Sequence, residues 1–149
     1  MHSVFEIFDN WILWASVVSW ACAQIIKILI DVFRFQKINL ALIISSGGMP
    51  SSHTSFVTTM TTLIGMTQGF DSAYFSICAI LTLVVMYDAA GVRRAAGKQA
   101  AVINELVDGL ENHGVLMDKK LKELLGHSPI EVAAGAILGV IIALILGGV

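Results

Sequence analysis

Residues 45–56 read SSGGMPSSHTSF, a run of hydroxyls, glycines, a proline and a histidine set between apolar stretches. The order of the residues says what such an interruption does. Proline fits the first turn of a helix, and serine before it or beside it caps the free backbone N–H groups. Pro50-Ser51-Ser52-His53 therefore marks a helix start, where those N–H groups and the positive end of the dipole attract anions. Gly47 and Gly48 let the backbone come close to whatever is held there. An ordinary Ser/Pro helix start competes with this reading, and His53 is what tips the balance. The following segment, 54–68, is short and Thr-rich, and it can span a membrane only if the SSGGMPSSH stretch is itself sunk into it.

The surrounding composition makes that membrane reading necessary. The chain has 149 residues, 56% of them hydrophobic and 13% charged, with a mean hydropathy of +0.82. Soluble domains carry about 25% charged residues, so this is an integral membrane protein, read as one domain over 1–149. A net charge of −2 gives no basic field for nucleic acid, and no such partner is expected. Cys22 and Cys78 lie in apolar runs and read as small hydrophobes, not as a disulfide framework. The first ten residues hold Glu6 and Asp9 and no Lys or Arg, so they do not resemble a secretory leader, and Met1 is expected to be the mature start.

The expected fold is all-α, with about four transmembrane helices at 11–33, 54–68, 72–90 and 130–149, a helical span taking about 20 residues. Residues 38–46 are too short to span and read as a re-entrant or interfacial piece. The polar stretch 91–128 carries Val102, Ile103, Leu106, Val107 and Leu110 at helical spacing, an amphipathic helix lying on the membrane or covering the site. Residues 117–125 would add a second short helix. Four spans leave both termini on one side, together with the acidic turn at 67–71. All nine Lys and Arg fall on the other, which the positive-inside rule places in the cytoplasm. Gly135 and Gly139 form a small-xxx-small pair, suited either to a homodimer interface or to packing within the chain.

Ionisable residues at membrane depth cost roughly 2.5–3.5 kcal/mol each at a helix centre, so they mark function. Here they gather at one face. Lys27, Asp31 and Arg34 share one side of the first helix, and two cations flanking a carboxylate suit a polyanion; snorkelling to headgroups is the competing reading. Asp88, Arg93 and Arg94 end the third helix. His127 and Glu131, four apart, let a carboxylate hold one imidazole nitrogen and leave the other free for base or nucleophile work. The same pair is a fair zinc half-site with His53 as a third ligand, or a capping histidine beside a snorkelling glutamate. Taken together, cations, histidines and a hydroxyl-rich helix start are best explained by a phosphate site.

These residues resemble the type-2 phosphatidic acid phosphatases, which share a core with vanadium-dependent haloperoxidases and bacterial acid phosphatases. Lys27 and Arg34 fit the Lys-x6-Arg-Pro block with Phe35 in place of proline, and PSSH at 50–53 fits Pro-Ser-Gly-His with Ser52 for glycine. HSPIE at 127–131 fits the His-x3-acid end of the third block. The arginine six residues before that histidine is missing; Arg93 and Arg94 precede it by over thirty. YDAAGVRRAAGKQA, GGMPSSH and GHSPIE together look like the small, divergent branch called acid phosphatase/vanadium-dependent haloperoxidase-related, in which an insertion, here 95–126, splits the third block.

The resemblance implies that His127 is the nucleophile, Glu131 orients it, and His53 is the acid and base. It implies that Lys27, Arg34 and one of Arg93 or Arg94 hold the phosphoryl oxygens, with Ser51 or Ser52 and the Gly48 backbone adding donors. It implies no metal or cofactor. Asp88 has no counterpart in the family's blocks and is assigned to support of an arginine; Asp31 is a second supporting carboxylate. The expected function is a phosphoric monoester hydrolase for a membrane lipid phosphate, such as phosphatidylglycerophosphate or phosphatidic acid, at the cytoplasmic face. The competing functions are a polyprenyl (pyro)phosphate phosphatase, a metal-dependent membrane hydrolase and a non-catalytic lipid-phosphate-binding protein.

Overall fold

The computed structural model describes residues 4–36, 48–111, 121 and 126–148, without the side chains of Phe35, Arg93 and 108–111. The interfacial piece expected at 38–46 and most of the short helix expected at 117–125 lie outside these residues. Within them the chain is helical throughout: α1 (Trp11–Phe35), α2 (Ser52–Gln68), α3 (Ala73–Tyr87), α4 (Arg93–Glu111) and α5 (Pro129–Gly147). A 3-10 segment, Val4–Asp9, leads into α1, and a π-helical turn, Asp88–Val92, joins α3 to α4.

Each start carries the chemistry its sequence advertises. Asn10, Ser51, Ser72 and Ser128 accept, at their side chains, a backbone N–H from α1, α2, α3 and α5 respectively. At α5 the box is reciprocal, since Ser128 N–H also donates to Glu131 at 2.9 Å, which satisfies two otherwise orphaned donors. The SPIE spacing carried that signal in plain sight, although the sequence reading used His127 and Glu131 only as a pair.

Helices α1 and α3 run one way, α2 and α5 the other. Ser19 Oγ meets Ser55 Oγ at 2.6 Å, and Gly48 packs on the Lys27 stem, so α1 and α2 are antiparallel. Thr82 reaches Val57 O at 3.2 Å and Thr61 reaches Cys78 O at 3.1 Å, which sets α3 antiparallel to α2. Gly135 packs on Ser51 and Thr54, Gly139 on Ser55 and Thr58, and Gly147 on Met66 and Leu63, so α5 runs parallel to α2. A Cβ at Gly139 would stand 2.6 Å from Ser55 O; the small-xxx-small pair is what lets these two backbones approach.

Helix α2 is the hub, packed against α1, α3 and α5. Nine of its 17 residues are buried, against one of 15 in α3. That explains its threonines: a helix shielded from lipid by three neighbours can carry hydroxyls, and those of Thr54, Thr59, Thr61, Thr62 and Thr67 find partners. Three helices are long and apolar enough to cross a membrane, Trp11–Arg34, Ala73–Val107 and Pro129–Gly147. Helix α2 falls short of this, being ~25 Å long at 1.5 Å per residue.

The amphipathic insertion expected at 91–128 is in part α4, which continues α3 through the π turn. Its Ala100, Asn104 and Val107 are buried, while Val102, Ile103 and Leu106 are exposed. Asn104 clamps the chain at Leu121, donating from Nδ2 to its carbonyl at 2.7 Å and accepting its N–H at 2.8 Å. Composition gave no sign of that link.

Candidate active site

The end of α1, the starts of α2 and α5, and the π turn meet at one end of the bundle. Lys27 is 3% exposed although it carries an ammonium group. Gly48 makes this burial workable. Its φ of +95° lies in the left-handed region that suits glycine, and a Cβ there would sit 3.1 Å from Lys27 Cδ. Gly48 thus packs on the lysine stem, and the Met49–Pro50 peptide that follows is cis. The Lys27 amino group has no hydrogen-bond partner among the described residues. Asp31, one turn on and half-buried, does not bond to it.

His127 is 2% exposed. Its N–H donates to Ala89 O at 2.9 Å, which ties it to the π turn, an irregularity that often accompanies functional sites. Its Nδ1 lies 3.2 Å from Glu131 Oε2, the oxygen that also accepts Ser128 N–H. Glu131 is held in turn through its carbonyl, which accepts Ser51 N–H at 3.0 Å, so the first turns of α2 and α5 are locked together. With Nδ1–H donating to the carboxylate, Nε2 carries the lone pair. Nε2 is buried and has no partner among the described residues. Burial holds the His127 pKa below its usual range, opposed by the hydrogen bond and charge of Glu131 and reinforced by Lys27 and His53 nearby. The imidazole is therefore neutral at neutral pH.

The remaining residues singled out from the sequence divide clearly. Ser51 and Ser52 are buried at the start of α2. His53 is exposed there and lines a groove of about 340 Å³. Asp88 is half-buried in the π turn, while Arg34 and Arg94 are exposed, and the side chain of Arg93 is outside the described residues. The structure thus gathers Lys27, Gly48, Ser51, Ser52, His53, His127 and Glu131, and leaves Arg34 and Arg94 at the surface. Among the described residues no three His, Cys, Asp or Glu side chains stand as a metal-binding group. The zinc half-site of His127 and Glu131 therefore does not gain His53 as a third ligand. Sequence reasoning missed Ala89, whose carbonyl anchors His127; nothing in an alanine could have signalled it.

Comparison with known proteins agrees with the motifs. A family profile described as "Divergent PAP2 family" matches residues 8–142. The chain is also 41% identical to the uncharacterized membrane protein YuiD of Bacillus subtilis (strain 168), over 95% of this chain and 96% of that protein. No solved structure matches it.

Proposed function

The chain belongs to the Divergent PAP2 family, and from that premise we propose that it is a metal-independent phosphatase acting on a lipid phosphomonoester. One observation carries the reading: a buried amino group, Lys27 Nζ, and a buried imidazole nitrogen, His127 Nε2, both lack partners at the same end of the bundle. A buried amino group without a hydrogen-bond partner is costly, and an unpaired acceptor near it adds to that cost. A phosphoryl group answers both, giving oxygens to the lysine and phosphorus to the histidine.

The proposed sequence is as follows. His127 Nε2 attacks phosphorus while Glu131 stabilises the charge that develops on the ring. The ester P–O bond breaks, and His53 gives its proton to the leaving alkoxide, releasing the alcohol. His53 then takes a proton from water as that water attacks the phosphohistidine. Inorganic phosphate leaves and His127 is restored. Lys27, the Ser51 and Ser52 hydroxyls and the N–H groups at the start of α2 steady the phosphoryl oxygens through the transition state. The exposed Arg34 and Arg94 would draw the anionic headgroup in.

The bundle then sits in the membrane with α2 as a fourth, protein-shielded crossing. In this reading the site faces the cytoplasm and both termini lie outside, which the positive-inside rule applied to the sequence positions of Lys and Arg supports. Phosphatidylglycerophosphate and phosphatidic acid fit a cytoplasmic-leaflet site. The decisive measurement is phosphate release from micelles of these lipids with EDTA present and with vanadate as inhibitor. Turnover that requires added zinc, or that survives His127→Ala, overturns the mechanism.

A further inference from the structure

Beside the candidate phosphate site lies a groove of about 340 Å³ that shares His53 with it and whose apolar lining the reaction just described does not use. It is lined by Val17 and Trp20 of α1, His53, Phe56 and Val57 of α2, and Val85 of α3. Its volume falls within the range of small-ligand pockets, about 300–1,000 Å³. Apart from His53 every lining residue is hydrophobic.

Its position says more than its size. The Ser19–Ser55 and Thr82–Val57 bonds set the register of α1 and α3 on α2. Val85 therefore stands near the first turn of α2, and Val17 and Trp20 stand near its second. The groove starts at His53 and its lining on α2 runs about one turn, ~6 Å, to Val57. A ligand that fits both parts is polar at the Lys27 end and hydrocarbon beyond His53. A water-soluble phosphate ester would leave the second part unfilled.

We infer that this α1/α2/α3 groove binds the first part of a hydrocarbon chain of the substrate, so that the ester oxygen sits at His53 with the chain running inward past Trp20 and Phe56. The assignment rests on the phosphate-site reading above and names what lies on the far side of the scissile bond. One chain occupies the groove; a second, in a diacyl lipid, stays in the bilayer. Trp20 and Phe56 then select for an apolar alcohol and place it, without taking part in the bond changes.

The test uses a long-chain alkylphosphonate, whose C–P bond does not hydrolyse, carrying a photoreactive diazirine a few carbons from the phosphonate. The full-length protein in nanodiscs is irradiated and labelled residues are mapped by mass spectrometry. Labels on Val17, Trp20, Phe56, Val57 or Val85, displaced by excess unlabelled long-chain phosphonate but not by methylphosphonate, are expected. Val17→Trp, which fills the groove from a half-buried position, should cut labelling at least about tenfold, as when about two methylene groups lose their burial. Labels confined to the outer faces of α3 and α5, such as Ile77, Ile80 or Ile137, overturn the inference. So does labelling that Val17→Trp leaves intact in a folded protein. The phosphatase reading fails separately: groove labelling with no phosphate release from the matching alkyl phosphate keeps the chain site and removes the turnover.

Discussion

Two regions of this bundle bury polar side chains, and they do it in opposite ways. Halfway down α2, Thr59 Oγ1 lies 2.7 Å from Ser19 Oγ and 2.9 Å from Gly139 O, and Thr61 Oγ1 lies 2.8 Å from Thr82 Oγ1. These hydroxyls join α1, α3 and α5 to the hub helix and are satisfied by protein alone. At the end of the bundle, Lys27 Nζ and His127 Nε2 are as deeply buried and have no partner among the described residues. The middle is bonding between helices; the end holds buried polar atoms that no described residue bonds. Burial alone does not separate glue from chemistry, and neither does one missing partner, since Thr58 Oγ1 in mid-α2 also has none among the described residues. It is an amino group and an imidazole left unpartnered together that mark the end of the bundle.

Substitutions should divide along the same line. His127→Ala should lower phosphate release by at least roughly 10³-fold, as expected for a lost nucleophile, with the fold kept in detergent. Lys27→Met should cost about 10²–10³-fold in turnover, the scale of one lost oxyanion-stabilising group. It should leave thermal stability equal or higher, because a buried amino group without a hydrogen-bond partner is removed. A large loss of stability with normal turnover would instead make Lys27 a structural residue.

The seam should behave in reverse. Gly139→Val drives a side chain into the Ser55 carbonyl and Thr58, and should cost about 1–3 kcal/mol of stability. Thr59→Val removes one shared hydroxyl at nearly constant shape and should cost about 0.6–1.7 kcal/mol, with turnover per folded molecule unchanged. Melting in detergent against activity separates the two classes.

The smallest effect expected is on pH. Burial lowers the His127 pKa, so the proposed nucleophile stays neutral until the pH falls below histidine's usual value of about 6.5. The acid limb of activity assigned to it should lie below that value. Glu131 opposes the shift, so Glu131→Gln should move the limb to still lower pH while reducing the rate. A limb that moves up or stays in place would assign the titration elsewhere. Between the two pKa values the unfolded chain binds a proton that the folded one excludes, so stability should fall as pH drops through about 6.5.

Much of the site could be read before any fold. Lys27, Ser51, Ser52, His53, His127 and Glu131 are polar residues in a chain that avoids them, and spacing alone put His127 and Glu131 on one helical turn. What spacing could not show was depth. Lys27 and Arg34 share a face in sequence, yet Lys27 is enclosed, with Gly48 packed on its stem, while Arg34 is exposed. Nor did periodicity show that the weakest helix is the hub, since a Thr-rich stretch of 17 residues reads as marginal when its three neighbours are left out.

The sequence by itself determined the membrane class, the helix start at Pro50-Ser51-Ser52-His53, and the residue types on which the proposed phosphate site rests. Those are local matters of hydropathy, capping and charge. Only the tertiary structure decided which polar groups were satisfied, because a partner for Thr59 or Ser19 lies on another helix tens of residues away. The same packing holds His127 through Ala89 and leaves its Nε2 beside Lys27 without a partner among the described residues, which is the observation on which the functional reading rests.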